Sequence, residues 1–377
     1  MAIVLVLLSV FFILLILRDG FEAMVLPRRV THSFRLTVLY YRMTWLLWRA
    51  VARRLPPSRR RNTFLSAFGP LSMLGLFSTW VVGLIVGFGL LNWSLETPLN
   101  APADLFTYLY LSGVTFFTLG YSDVTPGGTV GRVLSVLEAG VGFGFLAVII
   151  GYLPVLYAAF SRRELTIGLL DARAGSPPNA ANLLLRLAQA RDVSAAEPLL
   201  AEWERWAGET LESHLSFPVL TYYRSQHDNQ SWLAALVTIL DTSALLLTAV
   251  RGSDPYQTQL TFAAARHTAV DLAQMFRTRL RTPDPDRLPP DRLDQLRGML
   301  GAAGLPVREG AAVDARLIEL RGTYEPFLEA MAEHFLLLMP PVLADKTTPD
   351  NWQTSAYARR TAGIGRLPVE DGDDHLD

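Results

Sequence analysis

Three long apolar runs dominate the first 160 positions of the chain. Ala2–Leu17 has no charge and ends at Arg18. Phe68–Trp93 lies in a stretch without a charged residue from Arg61 to Glu96. Val133–Phe160 carries only Glu138. A helix crosses a bilayer core of about 30 Å with about 20 apolar residues. The second and third runs meet that length, and the first is slightly short. No basic segment precedes the first run and no small-residue cleavage site follows it, so it reads as an uncleaved anchor. Between the second and third runs lies Leu105–Leu119, apolar but too short to span. That pattern predicts a re-entrant helix held between two spanning helices. Gly75, Gly83, Gly87 and Gly89 suit a second helix packed closely on its neighbours, and Asn92 and Trp93 mark its interfacial end.

Beyond residue 160 the pattern changes to that of a mostly helical soluble domain. Apolar periodicity predicts helices near 179–192, 195–213, 231–250, 256–281, 290–303 and 313–338. Breaks are expected at Pro177-Pro178, at Gly252–Pro255 and over Arg281–Pro290. Trp232–Val250 is apolar enough to be mistaken for a fourth span. A further span would put 251–377 outside the membrane, so a buried core helix is expected instead. The tail from 344, ending Glu370-Asp371-Gly372-Asp373-Asp374, has a disordered composition.

Charge sets the topology. Ten arginines lie between Gly20 and Phe64, at positions 28, 29, 35, 42, 49, 53, 54, 59, 60 and 61. Asn92 to Gly131 has none, and Ser161-Arg162-Arg163 follows the third run. The excess of basic residues on the cytoplasmic side predicts an outside N-terminus, cytoplasmic 19–67, external 94–131 and a cytoplasmic C-terminal half. Within the linker, Arg35, Arg42 and Arg49 recur every seven residues among Leu, Tyr, Trp45 and Trp48. This face is expected on anionic lipid, the alternative being a helix packed on the soluble domain.

The net charge of −1 offers nothing to nucleic acid, and the absence of cysteine excludes disulfides and thiolate metal sites. The histidines at 32, 214, 227, 267, 334 and 375 have no metal-ligand spacing. No phosphate loop, nucleophile elbow or metalloprotease motif is present, since Gly142-Phe143-Gly144 belongs to the third apolar run. The chain reads as no enzyme and as needing no cofactor. A cytoplasmic ligand, if there is one, is not identified by any motif.

Thr115-Phe116-Phe117-Thr118-Leu119-Gly120-Tyr121-Ser122-Asp123-Val124-Thr125-Pro126 resembles the potassium-channel signature T-x-x-T-V-G-Y-G-D-x-x-P. The flank Gly131–Ala139 also resembles the start of the inner helix in bacterial two-helix pore-domain potassium channels. The likeness covers about 69–160. It implies an all-α membrane protein of the bacterial inner membrane, a homotetramer with one filter loop per chain. The implied parts are an outer helix 68–93, pore helix 104–117, filter 118–122 and inner helix 131–160. Around them stand an N-terminal transmembrane anchor 1–18, a basic amphipathic linker 19–67 and a mainly α cytoplasmic domain 161–343. By the same resemblance Thr118, Leu119, Gly120, Tyr121 and Ser122 form the filter. Thr118 to Tyr121 supply ion-facing carbonyls to permeant K+. The charge of Asp123, next in the chain, fits either a ring at the outer mouth that concentrates cations or a set of hydrogen bonds behind the filter.

Leu119 replaces Val or Ile, a mild change. Ser122 replaces the second glycine, where a Cβ disfavours the backbone conformation that glycine adopts freely. Three readings stay open: a potassium filter with a modified outer site, a weakly selective cation filter, or a non-conducting sensor or scaffold on the pore fold. Gly142 and Gly144 are hinge candidates in the inner helix and Pro154 a candidate kink, with close packing as the alternative for the glycines. Glu138, a carboxylate in an apolar helix, is a candidate support for the pore helix or an interfacial residue. No arginine-rich helix of a voltage sensor lies in a span.

Overall fold

A computed structural model describes residues 2–25, 35–121, 123–189, 193–226, 229–252 and 254–345. Ser122, Arg28, Arg29, His32, His227, His375 and the tail beyond 345 lie outside the described residues. The described chain is helical, and its only strand-like pairings are isolated bridges at Leu99–Pro126 and Val250–Val307. It divides into two compact units, 1–158 and 159–377.

The first unit holds α1 (Ala2–Met24), α2 (Leu36–Arg54), α3 (Arg59–Ser66), α4 (Phe68–Ser94), α5 (Leu105–Phe116) and most of α6 (Gly128–Ala174). Three segments are long and apolar enough to cross a membrane: α1, α3 with α4, and α6. This is an all-α membrane protein. Glycine lets α1 and α4 approach. A Cβ at Gly83 would lie 2.5 Å from Ile16, and one at Gly87 2.7 Å from Ile13. Small residues at such contacts bring backbones into van der Waals range.

Two helices outrun the expected ends. α1 continues past residue 18 to Met24. Arg18 pairs with Glu22 one turn on at 2.8 Å, so these charges prolong the helix rather than stop it. α6 runs past 160 to Ala174, because no breaker occurs before Gly175, at φ +82°, and Pro177. Pro154 lies within that continuous helix.

The linker carries α2 and, after Pro56-Pro57, the unforeseen α3. α2 packs an aromatic face on the next two helices: Trp45 meets Phe68 of α4 edge-on at 4.8 Å, and Trp48 stacks on Phe64 of α3 at 4.4 Å. The three arginines are unequally covered. Arg42 is exposed, whereas Arg35 and Arg49 are half-buried. A seven-residue repeat drifts around a straight helix by about 20° per repeat. The uncovered face is instead largely apolar, with Val38, Leu39, Met43, Leu46, Leu47 and Val51 exposed.

The second unit is built around α9 (Trp232–Thr248), of which every residue but Leu247 is buried. Packed against it are α7 (Ala180–Gln189), α8 (Ala196–Ser216), α10 (Pro255–Met275), α12 (Ala311–Gly322) and α13 (Glu325–Phe335). α11 (Pro290–Ala302) packs on α7. Two expected helices are shorter than their apolar periodicity suggests. The one drawn over 256–281 stops at Met275, and Arg277 turns left-handed at φ +50°. The one drawn over 313–338 is two, because Pro326 is tolerated only in the first turn of a new helix.

Two buried polar clusters fix the second unit. Arg287 forks onto Asp241 at 2.6 and 3.2 Å and reaches Glu325 at 2.8 Å, while the Tyr324 hydroxyl donates to Asp241 at 2.7 Å. In the other, Arg163 donates to the carbonyls of Leu220 and Tyr223, both at 2.9 Å, and faces Nε2 of His214 at 3.1 Å. The His214 Nδ1 lies 2.6 Å from the Thr210 carbonyl. That carbonyl can only accept, so Nδ1 carries the proton and Nε2 accepts from Arg163. Burial, then the Arg163 charge, push His214 down to about 3.

Candidate functional site

The site grows from α5. Asp104 caps it, its carboxylate accepting from the Thr107 amide at 2.7 Å and the Thr107 hydroxyl at 2.8 Å. The helix closes at Phe117, whose amide donates to Gly113. Thr118 then donates to Thr115 at 3.0 Å and Leu119 to Val114 at 2.9 Å. These two bonds hold a left-handed turn, with Thr118 at φ +52° and Gly120 at φ +71°. Glycine takes that region freely. A threonine there costs about 1–3 kcal/mol and persists only where its surroundings enforce it. The chain from Thr118 to Tyr121 is exposed, with the Leu119 and Tyr121 side chains 54% and 61% uncovered.

α6 seats on α5 at two points. Glu138 is 1% exposed and hydrogen-bonds to the Ser112 hydroxyl, which also reaches the Ile85 carbonyl of α4 at 2.7 Å. One turn on, a Cβ at Gly142 would lie 2.2 Å from the Phe116 carbonyl oxygen. Gly142 is therefore a contact point between α6 and the end of α5, whereas nothing lies within 4 Å of a Cβ at Gly144. Pro154 is exposed, well beyond these contacts.

Past the turn, the exposed Asp123 accepts from the Tyr110 hydroxyl at 3.0 Å. Asn100 clasps the same loop: its amide donates to the Asp123 carbonyl at 3.3 Å and its oxygen accepts from the Thr125 amide at 2.6 Å. The Gly127 amide adds a bond to Pro98 at 2.6 Å. Sequence reading missed Tyr110 and Asn100. Only the polarity of Asn100 in an arginine-free loop could have pointed to it. Among the described residues no cluster of His, Asp or Glu could hold a metal ion.

Protein LctB of Bacillus caldotenax is 34% identical over 93 residues, which cover 21% of this chain and 69% of that protein. The family model described as "Ion channel" matches residues 75–157, which span α4 from Gly75, all of α5 and α6 to Tyr157. The chain belongs to the ion-channel family. A second relative, the uncharacterized membrane protein YdjJ of Bacillus subtilis (strain 168), is 27% identical over 184 residues. That match covers 47% of this chain and 52% of YdjJ, so the chain spans about half the length of that relative. No solved structure matches it. The family match contains α5, the turn and α6 as far as Tyr157, and it leaves α1, α2, α3 and the second unit outside it.

Proposed function

We propose that the protein is a homotetrameric channel of the bacterial inner membrane that conducts cations passively, with potassium preferred. The observation that carries this is the exposed turn Thr118–Tyr121 at the C-terminal end of α5, held left-handed at Thr118 and Gly120. The end of a helix carries partial negative charge, which favours a cation. Carbonyls lining a water-filled path can replace an ion's hydration shell. One such turn cannot surround an ion, so several chains must share an axis. The apolar surface that α6 leaves open supports this, with Val136, Phe143 and Ile150 each about 70% exposed. The arginine distribution supports an external turn and a second unit in the cytoplasm, where it would assemble or gate the pore. Anionic lipid at Arg35, Arg42 and Arg49 is part of the same reading, Arg42 being the exposed member.

Ser122 favours a second reading, a weakly selective pore, because a side chain stands where the signature has glycine. Ser122→Gly separates the two. In a potassium-selective channel it leaves the potassium-to-sodium permeability ratio within about twofold. In a weakly selective one it raises the ratio by about tenfold or more, an oxygen cage restored being worth upward of about 1.4 kcal/mol. A wild-type protein that is silent and a glycine variant that conducts would point to the non-conducting scaffold.

A further inference from the structure

Asp19 is a carboxylate inside the span α1, and the pore as described makes no use of it. It is 4% exposed, and three neutral donors converge on it. They are the Trp80 indole N–H of α4 at 2.9 Å, the Thr37 amide at 3.1 Å and the Thr37 hydroxyl at 2.7 Å. Thr37 stands in the first turn of α2, whose N-cap residue, Arg35, makes no side-chain capping bond. Asp19 supplies from another helix the acceptor that a local cap would provide, with its charge at the positive end of α2. An ionisable group buried on a helix long and apolar enough to cross a membrane is a candidate for function by default.

The neighbouring residue gives the direction of its action. A Cβ at Gly20 would lie 3.1 Å from Cε2 of Phe145 on α6. Phe145 in turn meets Trp80 edge-on, with ring centres 5.9 Å apart and planes at 89°. Asp19 thus holds Trp80, and Trp80 and Gly20 together form the surface on which Phe145 rests. Phe145 lies less than one turn beyond the Gly142 contact with α5. The family match begins at residue 75, so α1 and α2 lie outside it.

We propose that Asp19 is a positioning residue for α6: through Trp80 and the α1 backbone at Gly20 it sets where Phe145 sits, and so how often the pore is open. This rests on the channel reading above. α1 then acts on the gate as well as anchoring the chain, and α2 reports to it through Thr37.

Gly20→Ala adds one methyl against Phe145 and removes no hydrogen bond. Trp80→Phe removes one donor and keeps most of the ring. In single-channel records from full-length protein in planar bilayers, each variant is expected to change open probability by at least about threefold, with unitary conductance and ion selectivity unchanged. In a Phe145→Ala background Gly20→Ala has no further effect, because the ring it presses on is gone. Asp19→Asn, which keeps one acceptor oxygen, falls between wild type and Asp19→Ala. Hydrogen exchange of α6 amides around residue 145 gives a readout independent of conduction, and all of these variants are expected to quicken it in protein that elutes at wild-type size. Unchanged open probability in Gly20→Ala and Trp80→Phe overturns the proposal, as does a Gly20→Ala effect undiminished in the Phe145→Ala background. A wild type that passes no ion defeats the channel reading instead. Exchange then decides the role of Asp19, and rates equal to wild type at residue 145 refute it.

Discussion

Gly142 and Gly144 are separated by one residue and predict opposite outcomes on substitution by alanine. At Gly142 the new Cβ would stand 2.2 Å from the Phe116 carbonyl oxygen, 3.0 Å from its carbon and 3.2 Å from its Cα. These are backbone atoms at the closing turn of α5, so no side chain can rotate away. Ordinary contact needs about 3.4 Å, so α6 and the end of α5 must part by about 1 Å. Overpacking costs about 1–3 kcal/mol, and a clash with backbone that cannot rotate away belongs in the upper half of that range, about 2–3 kcal/mol. The helix propensity of alanine over glycine returns up to about 1 kcal/mol. Gly142→Ala should therefore destabilise the protein by about 1–2 kcal/mol net and disturb conduction through the turn at Thr118. At Gly144 nothing lies within 4 Å, so alanine there brings only the propensity gain, about 1 kcal/mol of stabilisation. If α6 bends at Gly144 to open, that gain also lowers open probability, by about fivefold. Thermal unfolding of the detergent-solubilised full-length protein, together with single-channel recording, measures both. A Gly142→Ala protein as stable as wild type would refute the close contact, and with it the packing role assigned to this glycine.

Three further outcomes are expected. Arg287→Ala leaves Asp241 buried without a cationic partner, while Glu325 keeps Arg321 at 3.1 Å, and should cost about 3–5 kcal/mol in thermal unfolding; Arg287→Lys should recover only part, since an ammonium cannot keep the fork onto Asp241. His214 is neutral in the folded chain, held down to about 3 by burial and then by Arg163, against about 6.5 when unfolded. The unfolded chain therefore binds the extra proton below pH 6.5, and stability falls with pH from there towards 3. The loss at pH 5 is about 2 kcal/mol. His214→Gln should flatten that part of the pH profile, and an identical slope in both proteins would count against it. Asn100→Ala frees the Asp123 carbonyl and the Thr125 amide. It should shift the reversal potential under mixed potassium and sodium, and a potential equal to wild type would remove Asn100 from the site.

The three spans were legible because each is a long apolar run almost free of charge. Their ends were not, because Arg18 and Arg162 look like borders in a hydropathy pattern although helices tolerate charge. α6 could continue until Gly175 and Pro177 stopped it. The break before α13 was in view at Pro326 and was overridden by apolar periodicity on both sides. In the candidate site, the turn at Thr118–Tyr121 stood out as a local motif, and Glu138 as a lone carboxylate in an apolar helix. Their partners did not stand out. Ser112 is 26 residues from Glu138, Trp80 is 61 from Asp19, and Asn100 is 25 from Thr125. A single sequence carries no signal that pairs residues so far apart. The even spacing of Arg35, Arg42 and Arg49 described a helix face but not the aromatic packing beside it, which leaves Arg42 exposed and the other two half-buried.

The central claim is that Thr118–Tyr121 lines a cation path. Purified full-length protein in liposomes, loaded with potassium in one set and sodium in another, tests it directly by flux along an imposed gradient. The account predicts flux in both orientations of the gradient, faster for potassium, and abolished by Gly120→Val at a position where φ is +71°. Intact oligomers that pass neither ion, or a flux indifferent to Gly120→Val, would contradict it.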